Sequence, residues 1–313
     1  MAAKIPLRFT NEEAARTHLE ALQWPDGPVC PHCGVIDEAS SIKGGRKGLW
    51  FCNACRKQFS VTVGTVFERS KIPLNVWLYA NHLLCSSKKG MSSHQLARML
   101  GVTYKTAWFM AHRIREAMTP DKGTAGPLGG EGKIVEADTT YVGGKEKNKH
   151  VGKRDPAKIG GAGKQIVHTL VERGGRARSD HIANVSGKTL RPVVMKQVRR
   201  ESSFMTDTAG GYMAMGKEFA RHEMVDHGAL EYVRGDAHSN TVEGYFSILK
   251  RGIIGTYHHV SPAHLKRYLG EFDFRYNERM ALGVDDEARA DKALQGIVGK
   301  RLTYRRTGEA TNA

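Results

Sequence analysis

Three acidic residues, far apart in the chain, have the types and settings needed to hold divalent cations beside a phosphodiester: Asp138, Asp207 and Glu243. Asp138 lies in IVEADTTYV, residues 134–142, whose β-branched character predicts a strand. Asp207 closes a second strand-like run, Ser203–Thr206. Glu243 belongs to RGDAHSNTVEGYFSILKR, residues 234–251, where Val242, Tyr245, Phe246 and Leu249 recur along one face of a helix. Lys250 follows seven residues later, about two turns on, so acid and base project from one flank. In-line attack on a phosphodiester needs both the entering and the leaving oxygen stabilised, which two ions about 3.5–4 Å apart can do. Hard oxygen donors select Mg²⁺ or Mn²⁺ over zinc. The expectation is two ions per site, with Asp138 bridging and Asp207 and Glu243 as outer ligands.

Each of these residues also has a plainer reading. Glu243 stands three residues after Asn240, so the two could simply form a capping box. Glu136 shares a strand face with Asp138 and could take its place, and Asp236 could be the acid instead of Asp207. Lys250 and Arg251 suit contact with DNA phosphates but could equally be a solvated helix face. His238, His258 and His259 are near enough in sequence to assist.

A second donor set is softer. Cys30 and Cys33 form one CxxC knuckle and Cys52 and Cys55 another, with 18 residues between them. Four thiolates in two tight turns close a tetrahedral structural zinc site that leaves no position open for catalysis. The intervening residues predict a small β-hairpin carrying Lys43, Arg46 and Lys47, with Lys57 beside it. His32 is surplus to four sulfurs, and Cys85 falls in an apolar helix as packing.

The elements that must position these groups divide the chain. Residues 1–70 hold an N-terminal helix over Pro6–Leu22, capped near Thr10–Glu13, and the zinc ribbon. Residues 71–120 read as helices at Pro73–Ser86 and Met91–Met118. In the latter, Leu96, Ala97, Leu100, Gly101, Val102 and Thr103 make a helix-turn-helix pattern. Its second helix would offer Tyr104, Lys105 and Thr106 near its start and Arg113 further on for DNA contact. Residues 121–132, rich in Gly and Pro, read as a linker. Residues 133–282 read as an α/β unit with a mixed sheet: strands at 133–142, 164–172, 177–185, 203–207 and 231–234, and helices at 189–200, 212–222, 241–251 and 262–280. Within it, 143–163 is a glycine- and lysine-rich loop, expected to be a mobile basic arm. Residues 283–313 read as a polar tail with a short helix.

With 48 Lys+Arg against 32 Asp+Glu in 313 residues the net charge is +16, which favours a polyanionic partner, nucleic acid first. No apolar run approaches the ~18 residues of a membrane span, and the first ten residues lack a signal-peptide core. A cytoplasmic protein without a membrane partner is expected.

Three blocks resemble a known family: CPHCG…FCNACRKQFSVTVGTVFERSKIPLNVW, EADTTYVGGK, and HSNTVEGYFSILKRGIIGTYHHVS…HLKRYLGEFDFRYNER. They are similar to the bacterial insertion-sequence transposases of the DDE type, close to insertion-sequence family 1595. The resemblance implies a ribonuclease H-like catalytic domain preceded by the zinc ribbon and the helix-turn-helix-like helices. It implies Asp138, Asp207 and Glu243 as the metal-binding triad and Lys250 as the basic residue that follows the acid. Some members carry Asn as the third group, which makes Asn240 an accessory candidate beside His238. By the same resemblance the protein would bind terminal inverted repeats and target DNA as a homo-oligomer, nucleoid-associated, cutting element ends and joining the 3′-hydroxyls. Two rivals are a DNA-binding regulator with an inactive nuclease-like half and a ribonuclease H-like nuclease or resolvase. A relic would tend to have lost one of the three carboxylates, and none is missing.

Overall fold

The computed structural model describes residues 5–303 apart from 45–46, 121–125, 145, 159–160, 209, 230 and 232. Arg46, much of the expected linker and the last ten residues therefore lie outside the described residues. The chain forms two compact units, one of residues 1–87, 91–119 and 285–313 and one of 88–90 and 120–284.

The first unit opens with α1 (Leu7–Thr10) and α2 (Glu12–Gln23), two helices where one was expected. The break falls at Asn11, whose side chain accepts from the Ala14 amide and caps α2. The strands β1 (Ala39–Ser41), β2 (Trp50–Cys52) and β3 (Gln58–Phe59) make an antiparallel sheet in sequence order. The helices α3 (Leu74–Ser86), α4 (Ser93–Leu100) and α5 (Tyr104–Met118) follow. Gly101 ends α4 at φ +65°, where a Cβ would be strained, and the Thr103 hydroxyl caps α5 at the Thr106 amide. The polar tail is more than a tail. α10 (Asp286–Gln295) buries Ala290, Ala293 and Leu294, and its Ala290 carbonyl accepts from the buried Asn81 amide of α3. Its apolar residues are few and small, so the surrounding charge masked the packing face.

The second unit is a five-stranded mixed sheet: β4 (Ile134–Val142), β5 (Gln165–Glu172), β6 (Ala177–Ile182), β7 (Ser203–Asp207) and β8 (Arg221–Val225), in the order β6-β5-β4-β7-β8. β4, β5 and β6 pair antiparallel, while β7 and β8 run parallel to β4. Strand alternation gives the sheet two dressed faces. Val135, Ala137, Leu170 and Phe204 pack under α6 (Gly187–Gln197) and α7 (Gly210–Gly216). Val142, Val167 and Val171 pack under α8 (Asn240–Gly252) and α9 (Pro262–Asn277).

Two expectations fail here. The helix predicted over 212–222 stops at Gly216, where a Cβ would lie 1.9 Å from Nδ1 of His222. The chain turns back, and residues 221–225 become the edge strand β8. The strand expected at 231–234 is absent among the described residues, which show an isolated bridge from Arg234 to Ala237. RHEMV has the charged character that blunts a sheet edge, and its β-propensity is correspondingly weak. The basic loop after β4 folds into short 3₁₀ turns at Glu146–Asn148, Val151–Lys153 and Pro156–Lys158. Glu146 ties two of them, pairing with Lys149 and accepting from the Asp155 amide.

Candidate active site and zinc centre

The parallel register of β4 and β7 pairs Glu136 with Met205 and Ala137 with Thr206. One step further along both strands stand Asp138 and Asp207. Neighbouring strands lie about 4.8 Å apart, so the two residues stand abreast on one face of the sheet, the face that α8 and α9 cover at β4 and β5. Tyr212 of α7 reports on both. Its buried hydroxyl is raised well above the ordinary phenol range, first by burial and then by the negative charges of Asp138 and Asp207.

Glu243 arrives on the first turn of α8, exposed to solvent. Ser239 is buried just before the helix but does not cap it. Its hydroxyl instead donates to Oε1 of Glu243 at 2.8 Å. His238 Nδ1 accepts from the Asn240 amide at 3.3 Å, and the next two amides are capped from the sheet. Glu136 of β4, fully buried, accepts from the Thr241 amide at 2.8 Å, the Thr241 hydroxyl at 2.8 Å and the Val242 amide at 2.9 Å. The capping-box reading of Asn240 and Glu243 thus gives way to a cap reaching across from another strand.

The three carboxylates are not drawn into a tight knot. Among the described residues, the four cysteines form the cluster whose ligand atoms all lie within 4.8 Å of one another, and Asp138, Asp207 and Glu243 do not close to that distance. The donor set is nonetheless all hard oxygen on one sheet face and one helix turn, which suits Mg²⁺ or Mn²⁺.

The rival residues Glu136, Asp236 and His238 each have partners of their own. Glu136 is committed to the α8 amides and to Arg173, whose Nε lies 2.5 Å away. Asp236 is held by both terminal nitrogens of Arg221 at 2.7 Å, and that hydrogen bond and charge keep its carboxyl below the usual range. His238 sits 3.3 Å from Glu136 and 3.1 Å from Arg173, so it belongs to this support. Asn240 is exposed at the head of α8. His258, in the left-handed region at φ +58°, turns its Nδ1 to the Ile254 carbonyl beyond the far end of α8. Sequence reasoning missed Arg173, and only its position just past the end of β5 distinguishes it from the other arginines.

Lys250 and Arg251 are exposed in the last turn of α8, with the Lys250 ammonium 6.0 Å from the Phe246 ring centroid. The α5 residues divide. Tyr104 and Lys105 are exposed, Tyr104 stacked on His94 with ring centroids 4.2 Å apart. Thr106 is partly spent on the cap, its hydroxyl 2.9 Å from that of Thr103. Arg113 is placed differently from Tyr104 and Lys105. It is half-buried, donates to the carbonyls of Leu302 and Glu68, and stacks over Phe109.

In the first unit, Cys30 and Cys55 place their sulfurs 3.6 Å apart and Cys33 and Cys52 theirs 3.7 Å apart. Zn–S bonds of about 2.3 Å imply a tetrahedral edge of roughly 3.8 Å. A disulfide would need about 2.05 Å. Burial raises the Cys30 thiol, but the amides of His32 and Cys33 outweigh it and bring it down to about 6, while burial and neighbouring sulfurs push Cys55 up to about 12. Four sulfurs this close ionise together only around a cation, so the residues fit zinc. Trp24 meets Trp50 and Phe59 edge-on at 6.0 and 5.8 Å behind the site.

Among the described residues no helix is long and apolar enough to cross a membrane. Residues 10–58 match the transposase zinc-ribbon domain and residues 127–277 the ISXO2-like transposase domain. The chain is also 28% identical over 284 residues to the "uncharacterized protein in transposable element ISH50" of Halobacterium salinarum, covering 85% of this chain and 91% of that one. In its zinc-ribbon and ISXO2-like segments alike, the chain resembles the transposases of insertion-sequence family 1595.

Proposed function

We propose that this protein is a DNA transposase that binds the terminal inverted repeats of an insertion sequence and carries out strand cleavage and strand transfer through Asp138, Asp207 and Glu243. The observation that carries this reading is the parallel register of β4 and β7, which brings Asp138 level with Asp207, with the helix bearing Glu243 and Lys250 packed on the same side of β4. The mixed sheet with helices on both faces supports a ribonuclease H-like catalytic unit.

Divalent ions, two to a site when bound, would polarise the phosphate and acidify the attacking water or 3′-hydroxyl. Asp138, Asp207 and Glu243 would hold them. Ser239 orients Glu243 through its hydroxyl. Lys250 and Arg251, on the exposed flank of α8, draw the phosphate backbone toward the carboxylates. In each step one phosphorus–oxygen bond forms and one breaks, the proton of the attacking hydroxyl passing to solvent. The zinc ribbon and the α4–α5 pair, with Tyr104 and Lys105 exposed, read the element ends in a helix-turn-helix manner. Pairing of two ends calls for more than one copy of the chain on DNA.

The test uses purified protein, Mg²⁺ and a duplex carrying the repeats that flank its gene. Nicking and joining of the end are expected, and Asp138→Asn or Asp207→Asn abolishes both while binding persists. Full activity in either variant refutes the site, and loss of binding with loss of activity means that these residues hold the fold instead.

A further inference from the structure

Helices that open over a sheet are normally capped by a residue of their own chain segment. In α8 this is true of the Asn240 amide, which donates to His238 Nδ1, but not of the next two. Ser239, at the capping position, spends its hydroxyl on Glu243, and the first-turn amides of Thr241 and Val242 are satisfied by Glu136 from β4. A carboxylate with no exposed surface would be costly here without compensation. The compensation is complete: two helix amides, one hydroxyl and the Arg173 guanidinium, at 2.5–2.9 Å. The helix dipole adds to it, since a negative charge is favoured at a helix N-terminus. Arg173 then reaches past Glu136 to the loop before the helix, donating to the carbonyls of Asp236 at 2.8 Å and His238 at 3.0 Å. Its own amide donates to the Ile134 carbonyl at the start of β4. Strand, loop and helix thus meet on one buried ion pair.

We infer that Glu136, with Arg173, is a positioning residue for the active site: it locks the helix that carries Glu243 to the strand that carries Asp138, two residues from that aspartate. The inference rests on the proposed function only for what the locked helix is for. Glu136 itself is no cation ligand, because its oxygens are already engaged.

The experiment uses the full zinc-loaded chain and two readouts, amide hydrogen exchange and binding of Mn²⁺ alone. Glu136→Gln keeps one acceptor but loses the charge. Exchange at Thr241 and Val242 should quicken about tenfold or more, the loss of one charged hydrogen bond. Mn²⁺ affinity should fall about tenfold, as when an outer support of a metal ligand is removed. In a Glu243→Gln background the same change should cost no further affinity, because Glu136 acts through Glu243. Unchanged exchange overturns the inference, and so does a further loss of Mn²⁺ affinity in that background, which would make Glu136 a ligand. If Glu136→Gln does not fold, Thr241→Ala removes a single donor to the same carboxylate and should quicken Val242 exchange about threefold. No quickening there likewise overturns it. Should wild-type protein bind no Mn²⁺ that Asp138→Asn removes, the metal-site reading fails, and exchange alone still decides whether Glu136 holds the helix.

Discussion

Asp273 offers a pH test of the core behind the proposed site. It lies on α9, partly buried, and accepts from the Ser179 amide at 2.8 Å, the Ser179 hydroxyl at 2.7 Å and the Tyr245 hydroxyl at 2.5 Å, so it joins β6, α8 and α9. Burial pushes its carboxyl from the ordinary 3.8 up to about 6, against the opposing pull of these donors. The raised value means that the folded state keeps a proton that the unfolded state has released between those two limits. Stability therefore falls as pH rises through that window and is level above it. Linkage puts the fall between pH 4.5 and 7.5 at about 2 kcal/mol, or 1.36 kcal/mol for each of the ~1.5 pH units up to the folded value. Asp273→Asn cannot ionise and keeps an acceptor for Ser179 and Tyr245. Urea unfolding of both proteins at the two pH values isolates this group, because every other titration, including the cysteines', appears in both. The variant should gain about 2 kcal/mol on wild type as pH rises from 4.5 to 7.5. Parallel pH profiles would refute the reasoning and mean that the three donors hold Asp273 ionised throughout.

Removing zinc with a chelator, or Cys52→Ser, should unfold the ribbon and shift Trp24 and Trp50 fluorescence to the red, since Cys30, Cys52 and Phe59 are its buried core. Unchanged emission would argue against a metal-dependent ribbon. Arg173→Ala should cost about 3 kcal/mol in urea unfolding, the lower end for breaking a buried pair, because the α8 amides still solvate Glu136. A loss under ~1 kcal/mol would mean that Arg173 contributes little. Lys250→Ala should lower the slope of log affinity for DNA against log salt by about one. An unaltered slope removes it from the phosphate contacts.

Much of this protein is written in short-range pattern. Two CxxC turns specify a zinc site because the spacing within each knuckle is local geometry, and only the closing of one upon the other needs the fold. The helices 74–86, 104–118, 240–252 and 262–277 announce themselves through 3.6-residue periodicity and caps such as Thr103. Strands 134–142, 165–172 and 203–207 do so through β-branched runs. Where the signal is weak the tertiary structure decided. RHEMV becomes a strand because β7 offers it an edge, and the chain must turn at Gly216 to reach it. The few small apolar residues of α10 become a packing face only against α3 and α5. The same holds at the proposed site. Local sequence nominated Asp138, Asp207, Glu243 and, as rivals, Glu136 and Asp236, but residue type cannot rank five carboxylates. Strand register set two of them abreast, and the buried ion pair with Arg173 gave Glu136 to the helix terminus. Both outcomes depend on which strands are neighbours, a long-range fact that no local window of the chain contains.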